Sequence, residues 1–106
     1  MTPAQAFERV VFEGTNIDGM VVQVRTGCDP DPLRVEELLH ALIVVEQNIR
    51  GETTLDRKLA AALNGLTFHM SASLDHWEFC AWMDGYVQIL AVIESIFDGV
   101  PYEVEE

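Results

Sequence analysis

The stretch from Ser71 to Asp98 constrains this chain most, because its apolar residues fall on more than one side of any helix drawn through it. A helix resting on one core needs a single apolar stripe, so this one requires a second surface to cover it. Spacing assigns Phe79, Trp82, Met83, Tyr86, Leu90, Ile93 and Phe97 to a wide core face. Ser73 or Asp75 can start the helix, and Glu78, three residues after Asp75, would complete a capping box. One local signal competes. Asp84 and Gly85 form a DG pair between apolar runs, which is a hairpin signature, and glycine within a helix costs about 1 kcal/mol relative to alanine. The helix is the reading taken; an α+β fold with a hairpin at Asp84 and Gly85 is the alternative.

The remainder of the chain supplies partners for that helix. Thr2, Pro3 and Gln5 have the order of N-cap, first helical position and capping-box acceptor, and Phe7, Val10 and Val11 follow on one face until Gly14 closes the segment. Residues 16–26 are ambiguous: Ile17, Met20, Val21 and Val24 fit helical spacing, whereas Met20, Val22 and Val24 alternate as a strand would. A strand there would pair with residues 10–12 or 66–70. After Asp29, Pro30, Asp31 and Pro32, a long helix is expected from Leu33 to Arg50, with Val35, Leu38, Leu39, Leu42, Val45 and Ile49 as its core stripe. Thr53 or Thr54 would cap the next helix, which buries Leu55, Leu59, Ala62, Leu63 and Leu66 and meets a stop signal at Asn64 and Gly65. Thr67 to Ala72 reads as a connector. The expected fold is mainly α, a single-domain bundle of three to four helices over residues 1–106, with residues 20–25 open to either a helix or a short β element and an acidic, flexible tail at 103–106.

Charge narrows the function. Eighteen acidic and six basic side chains give a formal net charge of -12 over 106 residues. A surface of that sign repels phosphate backbones, and Arg9, Arg25, Arg34, Arg50, Arg57 and Lys58 are too scattered to form a basic face, so direct nucleic-acid binding is not expected. With 49% of residues hydrophobic, the chain has material for a core without disulfides or metal. Cys28 and Cys80 are in no CxxC arrangement and read as free thiols. The absence of an 18-residue apolar run argues against a membrane span, and Met1 to Arg9 lack a secretory pattern, so a soluble cytoplasmic protein is expected.

Several constellations bear on chemistry. Opposite the expected core face, Ala81, Asp84, Gln88, Ala91 and Ser95 alternate in steps of three and four, the spacing of a seam that meets another helix. Trp77, Cys80, Val87 and Val92 flank it, which suggests a symmetric homodimer or partner contact. Glu46 falls inside the apolar stripe between Leu42 and Ile49, so its carboxylate must find a partner, reach the edge of the core or hold a proton. Glu37 and His40 have the spacing of a metal-binding pair in di-iron carboxylate bundles, but a single copy on the side facing away from Leu38 and Leu42 fits a solvated face better. Asp75, His76 and His69 with Ser71 and Ser73 contain the residue types of a nucleophilic site, yet adjacent residues do not face one another as a triad must, and the serines suit helix caps.

No motif argues for an enzyme or for a cofactor. The sequence therefore points to a small acidic protein-binding module, a homodimer acting as an inhibitor, immunity-type or regulatory protein towards a basic partner. Two other classes stand beside it: a metal-binding helical-bundle protein or enzyme built on Glu37 and His40, and a nucleic-acid mimic.

Overall fold

Thr2 starts the first helix through the reciprocal bonds its neighbours allow: its hydroxyl accepts from the Gln5 N–H at 3.2 Å, and its own N–H donates to Gln5 Oε1 at 3.0 Å. The computed structural model describes residues 1–26, 30–73 and 83–103. Among these, α1 spans Pro3–Thr15, α2 Met20–Arg25, α3 Pro32–Ile49, α4 Arg57–Ser73 and α5 Met83–Asp98. No described residue lies in a strand, and the fold is a small helical bundle.

Of the two readings left open for residues 20–25, the helix is the one formed. Met20, Val21 and Val24 are the buried members of α2, which is helical spacing, and α2 packs against α4. The two segments that could have paired with a strand are inside α1 and α4, where their own backbone groups are satisfied. The hairpin alternative is likewise not realised, since α5 runs unbroken through Asp84 and Gly85. Gly85 has a packing reason for its place: a Cβ there would come within 2.9 Å of the Val35 side chain on α3.

The third helix lies one residue from its expected bounds, capped by Asp31, whose carboxylate accepts from the Leu33 N–H at 2.9 Å. It buries Val35, Leu38, Ala41, Leu42, Val45 and Glu46, with Leu39 and Ile49 half-covered. The fourth departs further from expectation. Its cap is Asp56 rather than Thr53 or Thr54, with Asp56 Oδ1 accepting from the Leu59 N–H at 3.1 Å. It also passes Asn64 and Gly65 and reaches Ser73, so the segment read as a connector is helix.

Packing explains why Gly65 does not end α4. A Cβ on Gly14 would stand 2.6 Å from the Ala62 Cα and carbonyl oxygen, and one on Gly65 would stand 3.0 Å from the Gly14 carbonyl. Both glycines are therefore places where α1 and α4 bring their backbones together, an approach that larger side chains forbid. In the same way Gly14 does not close α1, which continues to Thr15.

The first helix sits between α3 and α4, while α5 packs chiefly on α3. Leu38, Leu42, Leu59, Leu63, Leu66, Met70, Tyr86 and Ile89 form the fully buried centre. The inner face of α5 is turned relative to the expected one: Tyr86, Ile89, Val92, Ile93 and Ile96 are buried, whereas Leu90 is half-covered and Phe97 is 51% exposed. Of the remaining expected core residues on this stretch, Phe79 and Trp82 lie outside the described residues. No described helix is long and apolar enough to cross a membrane.

Candidate functional site

Among the described residues two carboxylates are buried, and each is held by one arginine. Glu46, on the inner face of α3, is 4% exposed. Arg50, one turn further along, donates to both of its oxygens, at 2.9 Å from Nε and 2.6 Å from Nη2. The Tyr102 N–H adds a third hydrogen bond to Glu46 at 2.8 Å, and the Arg50 guanidinium also reaches the Tyr102 carbonyl at 3.4 Å. The Arg50 hydrogen bonds hold the Glu46 carboxyl below its ordinary range, against burial, which acts upward; the Tyr102 N–H reinforces the lowering. Glu46 is thus an anion at neutral pH, anchoring the C-terminal segment that follows α5.

That segment begins after Gly99, which with Gly51 adopts a left-handed backbone, φ +73 and +89 respectively. Between the ends of α3 and α5 lies an open hollow of about 430 Å³, bordered by Arg50, Thr53, Thr54, Ser95 and Asp98. Its polar groups are mixed in sign, and its arginine is already engaged by Glu46. Tyr102 then folds back onto the core, and with Glu103 it walls a second groove of about 380 Å³ along α5, opposite Val87, Gln88 and Ala91.

The second buried carboxylate is Glu13 on α1, fully enclosed. Arg34 of α3 donates to Glu13 through both Nε, at 2.6 Å, and Nη2, and Nη2 also donates to the Asp18 carbonyl at 2.9 Å. The hydrogen bonds to Glu13 raise the Arg34 pKa further above its already high ordinary value, while burial opposes them. This pair escaped the sequence reading. The signal was available, because Glu13 falls on the same stripe as Ala6, Val10 and Gly14, as Glu46 falls on that of Leu42 and Ile49. Its partner, 21 positions away, is set by how α1 and α3 pack and not by local spacing.

The other sequence-derived residues are dispersed. Asp84, Gln88 and Ala91 are exposed on α5 and Ser95 is half-covered, so these seam residues do share one outer side of the helix. Ala81 lies outside the described residues, as do Trp77 and Cys80; Val92, read as a flank, is buried in the core. Glu37 makes a 3.6 Å ion pair with Arg9 across α1 and α3, and His40 is exposed. Among the described residues no group of three or more His, Cys, Asp or Glu side chains comes together as a metal site would require. Asp75 and His76 lie outside the described residues. Ser71 is in the last turn of α4, where its hydroxyl lies 2.6 Å from that of Tyr86 and ties α4 to α5.

Compared with known protein families, curated proteins and solved structures, the chain gives no significant match to any of them.

Proposed function

We propose that this protein is an acidic binding module that meets a basic protein partner in the cytoplasm, as an inhibitor, immunity-type or regulatory protein does. The observation that carries the reading is where its few cations are held. Of six basic side chains, Arg34 and Arg50 are clamped onto the interior carboxylates Glu13 and Glu46, and Arg9 faces Glu37. Most of the acidic surface is left facing solvent, including Glu8, Glu36, Glu52, Asp56, Asp84, Glu94 and Asp98. A net charge of -12 so distributed draws cationic surfaces over roughly a Debye length, about 8 Å in physiological salt, and accelerates their encounter.

A second reading, self-association through α5, is favoured by the exposure of Val87 on the outer side of that helix. One experiment addresses both. The tagged protein is used to recover partners from an extract of its own source at low and raised salt, and native mass spectrometry is run on the purified chain. A basic protein enriched over a charge-matched acidic control, and released by salt, supports the binding module. Enrichment no different from that control removes it. A dimer that persists on dilution supports the second reading, whereas a monomer at high micromolar concentration ends it.

A further inference from the structure

The outer side of α5 has an order of side chains more specific than acidity. Along one stripe, in steps of three, four, three and four residues, stand Asp84, Val87, Ala91, Glu94 and Asp98. All five are exposed, and Val87 at 61% is the largest apolar group among them. From first to last the stripe spans 15 residues of helix, a rise of about 21 Å or four turns. Its middle is apolar, and acids stand at both ends. Beside that middle runs the groove walled by Tyr102 and Glu103, which Glu46 and Arg50 fix in place through the Tyr102 backbone. The apolar strip is therefore not flat surface but one side of a cleft with an additional carboxylate on its rim.

Resting on the binding-module reading above, we infer that this cleft receives a cationic amphipathic helix of about four turns, with apolar residues at its centre and Lys or Arg at both ends. A second copy of this chain is the poorer occupant. In a parallel pair Asp84, Glu94 and Asp98 would each approach their own counterpart. In an antiparallel pair centred on Ala91, Asp84 would approach Asp98 of the other copy. Like charges set against each other oppose association, whereas lysines or arginines at those positions complement all three acids and Glu103.

The test uses a labelled synthetic helical peptide of about 15 residues, with leucines in the middle of one face and lysines at both ends, and a control peptide of identical composition with the leucines dispersed. Binding is read by fluorescence anisotropy at low salt and located by backbone amide NMR shifts. The expected result is saturable one-to-one binding, at least about tenfold tighter for the amphipathic peptide, with shifts at Val87, Ala91 and Glu94. Ala91→Arg, and independently Glu94→Lys, should each weaken it about tenfold with helix content unchanged. Should one variant fail to fold, the other serves alone. Equal affinity for both peptides, or shifts confined to other helices, overturns the cleft while leaving the acidic binding module standing. No binding of either peptide removes both, and a dimer whose α5 amides are protected assigns the face to a second copy and overturns the inference.

Discussion

Glu13 and Arg34 join α1 to α3 by a two-toothed contact in which both carboxylate oxygens, wholly out of solvent, accept from one guanidinium. The geometry is the planar fork for which arginine, and not lysine, is suited.

Arg34→Ala leaves the Glu13 carboxylate enclosed without its counter-charge and should destabilise the fold by about 3 kcal/mol or more. Arg34→Lys should recover only part of that loss, because an ammonium cannot engage both oxygens in the same plane. Urea unfolding followed by circular dichroism measures both. A loss below about 1 kcal/mol for Arg34→Ala would mean that the Glu13 carboxylate reaches water.

Glu46 makes stability pH-dependent in a defined direction. Its folded-state pKa lies below the ordinary value of 4.5, so the unfolded chain binds the proton more readily. The stabilisation is complete above the unfolded value and is lost as pH falls through the lowered, folded one. The stability difference between the native protein and Glu46→Gln should therefore be constant from pH 6 to 7 and shrink on acidification below about 4.5. A difference that grows on acidification would contradict the arrangement with Arg50 and Tyr102.

Gly14→Ala should destabilise more than Gly65→Ala. At Gly14 the added methyl meets backbone of α4 at 2.6 Å, which cannot move without separating the helices; at Gly65 the nearest atom is at 3.0 Å. An overpacking loss of about 2 kcal/mol is expected for Gly14→Ala. For Gly65→Ala a gain in helix propensity of about 1 kcal/mol offsets the milder crowding, giving a change near zero. Thermal melts of the two variants give the comparison directly.

Asp56→Ala removes the side chain that caps α4 and should cost about 1 kcal/mol, while Thr54→Ala, outside the helix, should change stability little. The same melts decide between the two positions. An equal loss at both would restore Thr54 to a capping role.

The parts of this fold that local chemistry dictates were legible from the residues themselves. Thr2 and Gln5 form their box, the stripe from Val35 to Val45 faces inward, and Glu46 interrupts that stripe as its position demands. Where three-dimensional proximity overrides a local signal, the reading failed. Gly65 resembles a stop and is a contact with α1, and Thr54 resembles a cap, yet Asp56 is the one in place; for Met20 to Val24 spacing alone left helix and strand open, and packing on α4 accompanies the helix. The candidate cleft divides similarly. Its α5 side, Gln88 and Ala91 with Val87 beside them, follows from helical periodicity, whereas its other wall at Tyr102 depends on a carboxylate 56 positions away.

The uneven attachment of α5 has a dynamic consequence. Among the described elements it leans mainly on α3, while α1 is gripped by α3 and α4 together. Amide hydrogen exchange should therefore resolve two cooperative units: α1, α3 and α4 exchanging only with global unfolding, and α5 with its anchored C-terminal segment opening at lower free energy. The helix that lines the proposed cleft would then be the first to detach, so that a partner held there would suppress its sub-global opening.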